Sequence, residues 1–221
     1  EMITLALEAS TYTGSVAVIR DGVVVASRET AMRGVHEERL MPAVAEALTD
    51  ARVAPNAIDR VACGEGPGSF TSLRIAGAIA KGLALSASAP LHPVSSLLLI
   101  VAGAEPGVAP GRYVAVLDAM RGDVFACMFS ITDRAITTES PTTLLARAAL
   151  GEFTREHAAR PVGPAEALVV TPHARGVAKL GTLAPWPAAA DLATWEPNYG
   201  RLAEAQVKWE AAHGRPLALE A

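Results

Sequence analysis

The sequence predicts an α/β protein of two lobes, each carrying a mixed β-sheet, and three observations lead there. Residues 3–88 run strand, strand, strand, helix, strand, helix. A Pro/Gly-rich stretch, "GAEPGVAPGR" at 103–112, then breaks the pattern. Beyond it, "YVAVLDAMRGDVFACMFSITDR" echoes the opening "TLALEASTYTGSVAVIRDG". Each copy has an apolar strand ending in an acid (Glu8, Asp118), a glycine soon after (Gly14, Gly122) and a second apolar strand. A repeat about half a chain apart reads as a duplication, with two ordinary hairpins as the competing explanation.

The elements follow in order. "MITLALEAS", "GSVAVIRDG" and "VVVASRET" are strand-length apolar runs, and Asp21-Gly22 fits a tight hairpin between the last two. "GVHEERLMPAVAEALTD" has helical spacing, with Leu40, Val44 and Leu48 on one stripe and Met41 and Ala45 beside it. Pro42 either kinks that helix or sits in its first turn, where a missing N–H is harmless. "AIDRVACGEG" is the fourth strand and "TSLRIAGAIAKGLALSASA" the second helix, an order that is ribonuclease-H-like. We divide the chain into a first lobe at 1–102 and a smaller second lobe at 103–200, with a C-terminal helix near 201–213 packing back on the first. Within the second lobe the pattern gives helical pieces over 142–157, a strand at "ALVV", a helix near 174–181 and proline-rich coil.

Composition narrows the function. Of 221 residues, 51% are hydrophobic and 19% charged, the mixture of a globular chain with a sizeable core. A net charge of −4 leaves no strong basic field to hold nucleic acid unaided. Cys63 and Cys127 lie in apolar runs without a neighbouring His or cation, which reads as reduced core thiols rather than catalytic ones. With neither a signal peptide nor a membrane-length apolar run, the expected location is cytoplasmic, with no membrane partner.

The stretch "GEGPGSFTSLR" packs three glycines and a proline into residues 64–68 and opens a helix. A Walker A loop needs a lysine directly after its last glycine, and here the next lysine is Lys81. A dinucleotide fingerprint needs a third glycine where Ser69 stands. Turn-and-cap geometry, with Ser69 or Thr71 as the cap, accounts for the motif; an anion at the helix start is the alternative. Candidate nucleotide or anion contacts are Glu8, Ser10, Thr11, Gly66, Gly68, Ser69 and Asp118.

The helix that follows is apolar almost all round. Ile75, Ile79 and Leu83 form a bulky row, and Ala76, Ala80 and Ala84 a small row beside Gly77, broken by Arg74 and Lys81. A helix lying on one sheet needs one apolar face. Either this one is sandwiched inside its own domain, or it joins the Leu40, Met41, Val44, Leu48 stripe in an interface with another chain. Candidate interface residues are His36, Leu40, Met41, Val44, Leu48, Arg74, Ile75, Ala78, Ile79 and Lys81.

Together "GEGPGSFTSLRIAGAIAKGLALSASAPLHPVSSL", "HEERLMPAV", "LALEASTYTGSVAV" and "LDAMRGDVF" resemble the TsaB (YeaZ) family, most densely over residues 3–125. Members are bacterial partners in making threonylcarbamoyladenosine at position 37 of tRNA. The resemblance implies the two-lobed fold of actin, Hsp70 and sugar kinases, and a supporting subunit that binds the catalytic subunit TsaD and works with the ATPase TsaE. It also implies that the two helices singled out above build the TsaD heterodimer. No cofactor belongs to the chain itself; ATP or ADP and Mg²⁺ would act within the complex, and tRNA would be met through the complex. The same helices could pair two copies of the chain.

TsaD holds a metal through His-x-x-x-His, whereas here His36 is followed four positions on by Leu40, so no metal site is expected. "HEERL" misses the His-Glu-x-x-His protease motif at the same residue, and no nucleophile–base pair supports a peptidase. His36 reads as a capping or interface residue. "EAST" replaces the family's usual "DTS", so Glu8 stands where kinases of this fold use aspartate for Mg²⁺, and Met120 stands where members often have Arg. An independent ATPase or small-molecule kinase is the rival reading. It requires Glu8, Asp118 and the glycine turn to converge on Mg-ATP between the lobes.

Overall fold

The computed structural model describes residues 1–34, 37–200 and 212–214. His36 and most of the C-terminal helix expected near 201–213 lie outside the described residues.

The first sheet contains β1 (Ile3–Glu8), β2 (Thr13–Arg20) and β3 (Val23–Ala31) as an antiparallel meander. Asp21 and Gly22 turn its hairpin with φ of 50° and 82°, the left-handed pair that matches the twist of flanking strands. Helix α1 (Leu40–Ala51) follows, with Pro42 in its first turn and Glu38 accepting from the N–H groups of Leu40 and Met41. Strand β4 (Arg60–Gly66) returns parallel to β1, helix α2 (Phe70–Ala87) crosses back, and β5 (Leu91–Ser95) lies parallel to β4. The spatial order is β3-β2-β1-β4-β5.

Helix α3 (Ser96–Gly103) comes next; sequence reading placed neither β5 nor α3. Its run "SLLLIVAG" has no polar face because it is packed on all sides, and Leu97, Leu99 and Ile100 have no exposed surface. It belongs to a core that joins Ala6, Ala17 and Ala62 of the first sheet to Tyr113, Ala115 and Phe125 of the second.

The second sheet has β6 (Gly111–Asp118), β7 (Asp123–Ile131), β8 (Ile136–Thr138), β9 (Thr143–Ala146), β10 (Arg160–Gly163) and β11 (Leu168–Val169). β6, β7 and β8 are antiparallel neighbours, while β10 and β11 run parallel to β6. The order β8-β7-β6-β10-β11 therefore repeats that of the first sheet, as the echoed sequences lead one to expect. Residues 142–157 are only partly helical: β9 pairs with β7, and helix α4 is confined to Leu150–Glu156. No helix intervenes between β10 and β11. The architecture is a two-lobed actin/Hsp70/sugar-kinase-like fold with a mixed sheet in each lobe. No helix among the described residues is long and apolar enough to cross a membrane.

The helix expected near 174–181 is a 3₁₀ segment, Ala174–Lys179, clasped between the first sheet and α3. The N–H of His173 donates to Leu99 O, and that of Ala174 to Ser15 Oγ at 2.9 Å. His173 is itself buried; its Nδ1 accepts from the Arg175 N–H at 3.0 Å and its Nε2 lies 3.1 Å from Glu29. Nδ1 is thus already used as an acceptor, so the neutral tautomer with hydrogen on Nε2 fits. Burial, assisted by the Arg175 charge, pulls the imidazole from 6.5 down to about 4. The unfolded chain takes up this proton below 6.5 while the folded chain refuses it until about 4. Stability present above the first value is lost as the pH falls toward the second. His173→Gln is expected to flatten that acid loss in urea titrations; an unchanged slope would assign it to other groups.

Candidate functional site

The lobes face each other across an open cleft of about 1080 Å³. The β1–β2 turn contributes Ser10, Thr11 and Tyr12, and the glycine turn contributes Gly68, Ser69 and Phe70. Opposite them stand Asp118 to Arg121 of the β6–β7 turn, with Arg147 and Glu166 behind and Tyr199 at one side. Five of the expected contacts, Ser10, Thr11, Gly68, Ser69 and Asp118, therefore meet in one place. Asp118 accepts from the N–H of Met120 at 2.9 Å, which closes its turn.

Glu8 and Gly66 are not among the cleft residues, which corrects both assignments. Glu8 has no exposed surface. Its Oε1 accepts from Ser10 N at 2.6 Å, and its Oε2 from Ser96 Oγ at 2.8 Å. A side chain at Gly64 would begin 1.8 Å from Glu8 Oε2, so that glycine exists to make room for the carboxyl. Gly66 is buried against the carbonyl of Asn198, and its N–H donates to Ser96 Oγ at 3.1 Å. A carboxyl on the inner face of the sheet, beneath the turn, is out of reach of a metal–phosphate group in the cleft.

The turn serves packing in the same way at Gly68, where a Cβ would lie 2.2 Å from Ser10 O. Ser69 N–H donates to that same carbonyl at 2.7 Å, locking the turn onto the β1–β2 loop. The expected cap does not form: Ser69 occupies the N-cap position, but its hydroxyl donates to Ser72 Oγ rather than accepting from a backbone N–H.

Burial holds the Glu8 carboxyl above its ordinary range near 4.5, against the lowering effect of its hydrogen bonds. The folded chain thus keeps a proton that the unfolded chain has lost, and stability drops as the pH rises from 4.5 through the raised value. Glu65 is raised by burial too, so the comparison must be between variants. Glu8→Gln keeps an acceptor for Ser10 N and removes the buried charge. We expect its urea midpoint to fall less than the wild type's between about pH 5 and about pH 8. Parallel slopes in the two proteins would rule this out.

The helices settle differently from the expected interface. Leu40, Val44 and Leu48 are buried beneath α1, packed with Leu5, Leu7, Val16 and Val18 of the first lobe's own sheet. They are core residues, not partner contacts, because α1 has its apolar stripe where the sheet is. The small row of α2, Ala76, Ala80 and Ala84, likewise faces the sheet with no exposed surface. One flank of α2 is covered by residues 195–197: Trp195 and Pro197 abut Gly77. Lys81 lies on that flank, 3.9 Å from Glu196 and 5.8 Å from the Trp195 ring.

What remains uncovered is a strip on the outer side of α2. Ile75 and Ile79 are half-buried, Arg74 and Ala78 are exposed, and Met41 of α1 is 41% exposed. Glu46 and Asp50, on the side of α1 away from Met41, pair with Arg28 of β3. Leu85 at 66% exposure and Gly82, with open space at its missing Cβ, extend the strip. Sequence reading passed over both, although Leu85 shares the helical spacing of Ala78. It also passed over Tyr12, Phe70, Tyr199, Arg121 and Arg147 in the cleft, which only folding brings together.

Comparison with known proteins agrees with this architecture. Residues 25–153 match the family described as TsaD, tRNA N6-adenosine threonylcarbamoyltransferase. The tRNA threonylcarbamoyladenosine biosynthesis protein TsaB of Bacillus subtilis is 30% identical over 227 residues, covering 94% of this chain and 98% of that protein. TsaB of Escherichia coli is 40% identical over 124 residues, 56% of this chain and 53% of its own length. A crystal structure described as an uncharacterised protein with similarity to peptidase YeaZ from Pseudomonas aeruginosa superposes with a TM-score of 0.76. It is 25% identical, with 91% of this chain and all (100%) of the other covered. A second, YeaZ from the same organism, gives 0.72 at 25% identity, over 89% of this chain and 99% of that one. Near-complete coverage of the Bacillus relative, together with the shared fold, places the chain in the TsaB family of tRNA threonylcarbamoyladenosine biosynthesis proteins.

Proposed function

We propose that this chain is a non-catalytic subunit that binds a TsaD-like transferase and supports threonylcarbamoyl transfer to adenosine 37 of tRNA. The observation that carries the reading is the outer side of α2, where Ala78 and Leu85 are exposed and Ile75 and Ile79 are half-buried, with Met41 of α1 exposed as well. Apolar side chains aligned on one outer helix face are the material of a helix–helix contact between chains. The burial of Glu8 supports the same side, since it removes from the cleft the carboxylate an independent kinase of this fold would use. A TsaE-like ATPase, ATP or ADP with Mg²⁺, and tRNA enter through the complex, in the cytoplasm. Without the transferase subunit, the strip pairs two copies of this chain.

Light scattering of the chain mixed with its cognate TsaD tests this, with a stable heteromeric complex expected. Separately, the chain alone is expected to turn over no ATP. The rival reading, an independent ATPase or kinase, draws on the meeting of Ser10, Thr11 and Asp118 in the cleft. Steady ATP turnover by the purified chain, lost in Asp118→Ala, would establish that reading instead.

A further inference from the structure

The cleft mouth carries aromatic rings and Arg121, and two further arginines, Arg33 and Arg74, stand over two of those rings. Tyr12 is 49% and Phe70 40% exposed, and both line the cleft together with Tyr199. Phe70 and Tyr199 stand with ring centroids 4.4 Å apart, tilted by 45°. The Arg33 guanidinium lies 4.7 Å from the Tyr12 ring centre, and that of Arg74 lies 5.4 Å from Phe70. Across the cleft, Met120 and Arg121 take left-handed backbone at φ of 63° and 57°, a conformation that non-glycine residues adopt at a cost in free energy. That turn sets Arg121 in the cleft wall.

Charge pairing separates these arginines from several others. Arg20, Arg28, Arg112, Arg147 and Arg175 each have a carboxylate within ion-pair distance. Among the described residues Arg33, Arg74 and Arg121 have none. Rings left in water forgo the free energy that burial would provide, and among the described residues these guanidinium groups have no carboxylate in contact, although Asp118, Asp123 and Glu166 line the same cleft. A ligand that supplies both flat apolar faces and negative charge satisfies the two groups together. Unpaired nucleotides do so: their bases stack on aromatic rings and their phosphates meet guanidinium groups. A duplex does not, because its base faces are already stacked on one another.

We propose that the cleft mouth binds unpaired RNA, with bases stacking on Tyr12 and on the Phe70–Tyr199 pair and phosphates held by Arg33, Arg74 and Arg121. The choice of RNA rests on the function proposed above; the stacking geometry does not. Because the whole chain carries a net charge of −4, binding is modest and salt-sensitive. Contact with three phosphates gives a slope of log K against log salt of about −2 for a single strand.

Fluorescence anisotropy of the full chain with a labelled oligoadenylate of about ten nucleotides tests the proposal. Tyr12→Ala and Phe70→Ala are each expected to weaken binding about tenfold, while Tyr12→Trp retains it. Arg33→Ala is expected to reduce the salt slope by about 0.7. Unchanged affinity in both alanine variants overturns the proposal, as does equal affinity for fully paired RNA. Complete displacement of the oligomer by ATP, with no effect of Arg33→Ala, makes the cleft a mononucleotide site instead. Equal binding of oligodeoxyadenylate overturns the choice of RNA. Light scattering of Tyr12→Ala with the transferase subunit keeps the two readings apart, because Tyr12 lies off the α2 strip. RNA binding lost with the complex intact refutes this proposal alone, and the reverse refutes the partner reading alone.

Discussion

Ile75→Glu is expected to leave the first lobe folded and to weaken association with the TsaD-like subunit by about a hundredfold or more. Ile75 is half-buried on the outer strip of α2, so a glutamate there can turn its carboxylate to water in the free chain. In a complex the same carboxylate would be trapped between apolar surfaces without a partner. Removing a central apolar anchor from an interface costs about 2–4 kcal/mol, and a buried unpaired charge adds to that. Leu85→Glu, at 66% exposure, is expected to act in the same direction with a smaller fold penalty in the free chain. Light scattering gives the association, and circular dichroism melts of the same samples show whether the lobe is intact. Wild-type association in both variants would move the contact to another face of the molecule.

Leu40→Glu is expected to do the opposite: to unfold the lobe rather than to spare it and block a partner. Leu40 has no exposed surface, and its side chain meets the strand residues Leu5, Leu7, Val16 and Val18 in one core. It also lies 3.2 Å from where a Cβ on Gly14 would stand, so the site has no slack for a polar group. Loss of a leucine from such a core costs about 2–5 kcal/mol, and an unpaired buried carboxylate costs several more. That sum rivals the whole stability of an ordinary domain, about 5–15 kcal/mol. Expression in the soluble fraction with a native-like melt would contradict the packing described here. Leu40 and Ile75 thus separate two roles that helical periodicity alone could not.

Much of the first lobe was legible because its signals are local. Strand runs, the Asp21-Gly22 turn and the helical spacing of 40–51 depend on near neighbours in sequence. The echo between the two lobes was legible as well, and it returned as the same strand order in both sheets. Helix α3 was missed for a physical reason: a segment packed on every side has no amphipathic period to detect. Strand β9 was read as helix because four residues carry too little pattern to tell the two apart.

The site was less legible. Glu8 is a candidate nucleotide or anion contact in the sequence because it ends the first strand, yet a strand's last residue can point to either side of its sheet. Ser96, far along the chain, and the missing side chain of Gly64 decide that it points inward. The all-apolar circumference of α2 announced more than one contact, but not which rows make them. Trp195 and Pro197 cover one flank and the sheet takes the small row, which leaves the Ile75–Ile79 side. By itself, then, the sequence determined the repeated strand order, the family and a helix with surplus apolar surface. Only tertiary structure decided which surface is surplus and which carboxyl is sealed, because both depend on what distant segments place against them.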